Sequence, residues 1–209
     1  VCSSDLEMLQ RLSISLVQFF LTEAIITEED QDVYRYSVEI LLSSLVVYGS
    51  ILLLALCGHV LAETIAYYSG FLLLRHSAGG YHARSHGHCI LLTLSTYLLA
   101  MILLSAIPQN VRIWAVVLMA VLSLGAIYGV GPVDHVNKPF TPGERKRYRQ
   151  QSLVWVTLIS FASTAMVALG LWEQLALAVS LGMASAALSV IAGSQEVKRH
   201  VQENDSQAG

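Results

Sequence analysis

Six stretches of the chain run for 17 to 20 residues with almost no charge and no proline: Ser37–Leu56, Gly58–Leu74, Ile90–Ile107, Val111–Val130, Leu153–Leu171 and Leu175–Ile191. Each is close to the length an α-helix needs to cross a hydrocarbon core. Pro108, Pro132, Pro139 and Pro142 all fall between these stretches, as continuous helices require. Only Glu39, Glu63 and Arg112 place a formal charge inside the limits, and Arg112 is at the edge of its span. The first two stretches are separated by nothing more polar than Cys57-Gly58-His59, so a single long tilted helix, or a re-entrant second segment, is an alternative to two spans there. Ahead of them, Leu6, Leu9, Leu12, Leu16, Phe19 and Phe20 recur mostly at three- and four-residue steps and share much of one helical face. This predicts an amphipathic helix that either lies in the membrane interface or packs on the bundle. Glu28, Glu29, Asp30 and Asp32 follow as an acidic, solvated connector.

Composition agrees with that pattern. The chain is 55% hydrophobic and 13% charged over 209 residues, with a mean hydropathy of +0.59; soluble domains carry roughly a quarter charged residues. Three cysteines (Cys2, Cys57, Cys89) cannot all pair, so a disulfide scaffold is excluded. Twelve Lys and Arg against fifteen Asp and Glu, a net charge of −3, argue against nucleic-acid binding. The opening stretch holds acids, lacks a basic leader and shows no small-residue cleavage site, so it is not expected to be a cleavable signal peptide.

The distribution of basic residues then sets an orientation. Nine of the twelve lie in three regions: Arg75 and Arg84; Lys138, Arg145, Lys146, Arg147 and Arg149; and Lys198 and Arg199. The alternating loops around 108–112 and 172–174 contribute only Arg112. The expectation is an all-α, polytopic integral membrane bundle of about six spans, with both termini and the segment Arg75–Cys89 on the cytoplasmic side. Residues 1–36 form the cytoplasmic amphipathic helix and connector, 37–193 one transmembrane domain, and 194–209 a cytoplasmic tail expected to be disordered.

Candidate chemistry is concentrated in one segment, Arg75-His76-Ser77-Ala78-Gly79-Gly80-Tyr81-His82-Ala83-Arg84-Ser85-His86-Gly87-His88-Cys89. Four of the seven histidines are here, and a cysteine closes the segment where the next apolar stretch begins. Ionisable groups beside the membrane core are costly and tend to be functional. A thiol becomes a nucleophile when an imidazole takes its proton. His82 and Cys89 are seven residues apart; on one straight helix that is two turns, roughly 10 Å, too far for a hydrogen bond. A dyad between them therefore needs a bend, which Ser85 and Gly87 would allow, with Gly79-Gly80 permitting close backbone approach on the other side. His86, three residues before Cys89, is the rival partner, while His88 is its immediate neighbour and points away on a helix.

The spacing Arg75-x4-Gly80-x-His82-x6-Cys89, between one span and the next, resembles the accessory gene regulator protein B (AgrB) family of membrane-embedded cysteine endopeptidases in peptide quorum sensing. Gly131-Pro132-Val133-Asp134-His135-Val136-Asn137-Lys138-Pro139 and the basic run Glu144–Arg149 are similar to the family's second cytoplasmic loop. Length, span count and the amphipathic N-terminus extend the likeness over nearly the whole chain. The resemblance implies that His82 and Cys89 are catalytic and that Arg75 and Gly80 are needed for activity; Lys138 joins them as a candidate substrate-binding or supporting residue. It also implies an AgrD-like propeptide as substrate, with an amphipathic leader, a central pheromone segment and an acidic C-terminal tail. Removal of the tail through a Cys89 thioester, followed by attack of an internal thiol or hydroxyl, would give a cyclic thiolactone or lactone. His76, His86 and His88 are additional to the family's pattern. No cofactor or metal is called for; the expected partners are the propeptide, membrane lipid and a second copy in a homodimer, for which the small-faced last span (Gly182, Ala184, Ser185, Ala186) is suited, although the same face suits packing within the monomer at least as well.

Arg75 has three candidate roles: binding substrate carboxylates, stabilising an oxyanion, or snorkelling at a helix end. The run Arg145–Arg149 suits the acidic tail of a propeptide, although inner-leaflet lipid already explains it. Two other chemistries compete. His82, His86, His88 and Cys89 offer donors for zinc, but no Glu stands between the His pair as in zinc proteases. Glu39, His59 and Glu63 would serve as a relay in a small transporter, and of these Glu63, well inside its expected span, most demands explanation. Trp114, Trp155 and Trp172 fall near span ends, as belt aromatics do.

Overall fold

The computed structural model describes residues 2–23, 26–27, 30–81, 86–133 and 140–207, with side chains from Leu12 onward except those of 36, 40, 86, 142, 198 and 200–207. Among the described residues there are seven α-helices and no strand: α1 (Cys2–Thr22), α2 (Gln31–Cys57), α3 (Leu61–Ala78), α4 (His86–Ala106), α5 (Arg112–Val130), α6 (Pro142–Ala168) and α7 (Glu173–Gln207), with one 3-10 turn at Gln109–Val111 before α5. Five of them (α2, α4, α5 with its preceding turn, α6 and α7) are long and apolar enough to cross a membrane. The sixth expected span is α3, 18 residues with Glu63 in its first turn and Arg75 and His76 in its last. Its middle is apolar and its two ends are polar. Large side chains that water would not tolerate in such number are exposed along the helices, among them Leu53, Ile65, Leu91, Ile102, Leu122, Phe161 and Leu188. Exposed apolar side chains in such number suit a lipid-facing surface.

The turn at 57–59 falls where the sequence offered its only break. α2 ends at Cys57, Gly58 caps it by donating to Leu54 O, and His59 has φ 54°. The single long helix through 37–74 is thereby excluded. Because α3 starts at Leu61, Glu63 is not deep in a span: it lies in a first turn, where unpaired N–H groups favour a carboxylate. Glu39 is likewise accounted for, accepting from Ser13 Oγ and from Arg35 Nε, both at 3.2 Å. The transporter reading loses two of its three groups to ordinary structural roles.

By its contacts the chain divides into two compact units, Val1–His59 with Ala83–Ser95, and Val60–His82 with Thr96–Gly209. In the first, α1 packs on α2. Ser13 and Val17, one turn apart on α1, are buried, whereas Leu12, Leu16 and Phe19 of the apolar stripe stay exposed. A face of the same helix neighbouring the stripe makes the contact with α2.

In the second unit α3 lies along α7, and α5 and α6 complete the packing around α7. Leu74, Ala78, Ala120, Ile127, Val133, Val156, Ile159, Met183, Ala186 and Val190 form its core. Two helices can approach this closely because each supplies a glycine. A Cβ at Gly70 would collide with Val179 O, and one at Gly182 with Tyr67 O. The small face of the last span is therefore used inside the monomer, against α3. Beside it, Tyr67 packs on Tyr97 (ring centroids 5.9 Å apart), whose hydroxyl shares a 2.8 Å hydrogen bond with Thr64 Oγ1. At the start of α5, Arg112 pairs with Glu173 of α7 at 3.7 Å, and Gln109 Nε2 donates to the same carboxylate at 3.2 Å.

Two helices exceed their expected limits. α6 begins at Pro142 rather than Leu153, opened by a capping box in which Thr141 and Glu144 bond each other's backbone N–H groups. α7 continues through residues expected as a disordered tail, to Gln207.

Candidate functional site

α3 ends at Ala78 because the next two residues leave helical conformation: Gly79 has φ 69° and Gly80 φ 137°. An L side chain at either is strained, and each position is also closed by its surroundings. A Cβ on Gly79 would come within 2.6 Å of Val133 O, and one on Gly80 would overlap the Arg75 guanidinium. Gly79-Gly80 thus turns the chain out of α3. Of the two residues expected to allow a bend between His82 and Cys89, Gly87 lies within the first turn of α4 and Ser85 is outside the described residues.

Arg75 is in the last turn of α3, where a cation also complements the helix dipole. Its guanidinium folds back over the glycine turn. Nη1 donates to Gly79 O at 3.2 Å and to Ser189 Oγ on α7, and Nη2 donates to Tyr81 O. Ser189 holds the turn a second time, its carbonyl accepting from Tyr81 N–H at 2.8 Å. On the opposite side Val133 N–H donates to Ala78 O at 3.0 Å. One turn beyond Ser189, Gly193 lies flat under the Gly80–Tyr81 peptide, where a Cβ would be 2.7 Å from Gly80 C and from Tyr81 N. The geometry thus gives Arg75 an occupation that the sequence did not suggest: bridging a loop to a helix.

The seat on α7 was missed by sequence reasoning. Its signal was present in the four-residue step from Ser189 to Gly193, continuing the small face of the last span. That face seemed to serve helix packing alone.

The remaining candidates are placed as follows. His82 and Lys138 lie outside the described residues. Cys89 is the fourth residue of α4; its thiol is free and exposed. The first turn of a helix presents amide N–H groups without intrahelical partners, a location that suits an anion. His76 and His88 are exposed, and of His86 only the backbone, the first residue of α4, is described. The zinc alternative turns on His82 and His86, whose side chains are both outside the described set. Among the described residues no three His, Cys, Asp or Glu come together.

The basic run forms the opening turns of α6, with Arg145, Lys146, Arg147 and Arg149 exposed. Arg149 Nη2 donates to Tyr128 O at 3.2 Å and its guanidinium lies over the Tyr128 ring, 5.9 Å from the centroid. Phe140 and Tyr148 pack ring to ring at 5.0 Å beside this turn.

The family model described as accessory gene regulator B matches residues 13–191, which include α1 from Ser13 and all of the Arg75–Cys89 segment. An AgrB-like protein of Listeria innocua serovar 6a is 24% identical over 137 residues, covering 64% of this chain and 66% of that protein. The match therefore spans just under two thirds of that relative's length. No solved structure matches the chain. With 179 consecutive positions under the family model, the glycine turn and the exposed Cys89 among them, the chain belongs to the accessory gene regulator B family.

Proposed function

We propose that the protein is a membrane-embedded cysteine endopeptidase that removes the C-terminal tail of an AgrD-like propeptide. The observation that carries this reading is the family match across the whole motif, joined to a free, exposed Cys89 thiol in the first turn of α4. His82 takes the proton of Cys89, and the thiolate adds to the carbonyl carbon of the peptide bond preceding the tail. Collapse of the tetrahedral adduct breaks the C–N bond, and the His82 imidazolium returns its proton to the departing amine. The retained segment is left as a thioester on Cys89. An internal thiol or hydroxyl of the peptide then attacks that thioester, closing a thiolactone or lactone and releasing Cys89, which regains its proton. Exclusion of water favours ring closure over hydrolysis, and a site at the membrane boundary supplies it.

The distribution of Lys and Arg supports a site on the cytoplasmic side. In Cys2→Ser/Cys57→Ser protein, an impermeant maleimide is expected to label Cys89 in inside-out vesicles and not in right-side-out ones. The reverse pattern would place the site on the other face. The basic opening of α6 suits an acidic tail.

Co-expression with the propeptide, read by mass spectrometry of released tail and cyclic product, tests the activity. His86→Ala and His88→Ala are expected to retain most of the wild-type cleavage. Loss of cleavage in His86→Ala with retention in His82→Ala would reassign the base to His86.

A further inference from the structure

We infer that Ser189 and Gly193 of α7 are positioning residues for the base: they form a seat that fixes the backbone immediately before His82. This deepens the endopeptidase reading and rests on its assignment of His82.

The turn after α3 contains two glycines in succession, and an unrestrained Gly-Gly pair has more backbone freedom than any other dipeptide. A catalytic imidazole on the end of such a turn would sample many positions, whereas general-base catalysis needs it within hydrogen-bond reach of the sulfur. The turn is nevertheless pinned at every peptide. Ala78 O accepts from Val133 N–H, while Gly79 O and Tyr81 O both accept from Arg75. Tyr81 N–H is bound by Ser189 O. Ser189 is the junction, since its hydroxyl also receives the Arg75 donor that ties α3 to α7.

Gly193 completes the seat by what it lacks. Any side chain there would press on the Gly80–Tyr81 peptide from below, at 2.7 Å, and both atoms met are backbone. The peptide would have to lift off α7, lengthening the bond from Tyr81 N–H to Ser189 O. Tyr81 is joined to His82 by a single peptide, with Cα atoms about 3.8 Å apart, so the displacement passes directly to the base. Ser189 and Gly193 touch no reacting atom in this account; they act through the loop.

The test compares wild type with Ser189→Ala, Ser189→Thr, Gly193→Ala and His82→Ala, each at matched membrane abundance and with its own propeptide titration. Two quantities are read: kcat and KM for tail release, and the pH dependence of Cys89 alkylation by iodoacetamide without substrate, in a Cys2→Ser/Cys57→Ser background. Gly193→Ala is expected to lower kcat roughly 10- to 100-fold with KM little changed, the order of loss seen when a catalytic group is misplaced by about 1 Å. Its alkylation profile should move toward that of His82→Ala. Ser189→Ala should show the same direction of change, and Ser189→Thr, which keeps the hydroxyl, should restore most of the rate. If Gly193→Ala and Ser189→Ala match wild type in both quantities while His82→Ala is inactive, the seat has no positioning role and the inference is overturned, with the endopeptidase reading intact. Loss of rate with an unmoved alkylation profile and no rescue by Thr overturns it equally. Normal cleavage by His82→Ala is a separate failure, that of the endopeptidase assignment itself.

Discussion

Cys89→Ala is expected to abolish release of the propeptide tail, with a fall of at least about 10⁴-fold, as removal of a covalent nucleophile commonly produces. Accumulation and insertion should be unchanged. The reason is structural: Cys89 is exposed on α4, and a methyl group in place of the thiol leaves no cavity in a packed core. Its carbonyl, which accepts from Thr93 Oγ1 at 2.8 Å, is untouched by the substitution. His82→Ala should be equally inactive, because a thiol and its base act as one unit and their losses do not add. The double variant Cys89→Ala/His82→Ala should therefore be no worse than either single one. Quantitative mass spectrometry of free tail per unit of membrane enzyme measures all three.

Arg75→Lys is expected to lose most activity as well, at about 100-fold or more, although it preserves the charge. A guanidinium is a planar fork whose N–H groups reach Gly79 O, Ser189 Oγ and Tyr81 O together. An ammonium is a point donor that cannot span the same three acceptors from one position. Each hydrogen bond to a charged group is worth about 1.5–3 kcal/mol, so losing even one of the three accounts for a tenfold to hundredfold change. The defect should appear in kcat rather than KM, because the guanidinium is engaged by the loop and α7. A rise in KM for propeptides with acidic tails, with kcat preserved, would instead assign Arg75 to substrate carboxylates. The two outcomes separate a positioning role from a binding one.

Hydropathy and proline placement located the helices because both report directly on the bilayer. A span needs an uninterrupted apolar run, and a proline within it would break backbone bonds that lipid cannot replace. What hydropathy could not locate was where a helix starts or ends outside the apolar run. Glu63 looked deep in a span because Gly58 and Val60 are apolar or neutral, although the chain turns at His59 and the helix begins only at Leu61. α6 gained its early turns from Thr141-Pro142-Gly143-Glu144, a capping-box sequence that lies outside the apolar run.

The density of histidines beside Cys89 was legible from residue type, while the choice of Arg75, Gly80 and His82 among them came from the resemblance to the family. The support around these residues was not legible. Arg75 and Ser189 are separated by 114 positions, and no local pattern announces that a serine on the last helix receives a donor from the third. Gly193 carries the same lesson from the other direction: its purpose is the peptide that lies on it, which only the tertiary structure shows.

The most direct measurement is the mass of the Cys89 peptide after the enzyme meets a propeptide whose internal ring-forming Cys or Ser is replaced by Ala. With cyclisation blocked, the acyl-enzyme should accumulate. The account predicts that Cys89 gains the mass of the leader and pheromone segment without the tail, in a bond that neutral hydroxylamine cleaves. Tail released in stoichiometric amount from that propeptide, with Cys89 unmodified at every time sampled, would contradict it.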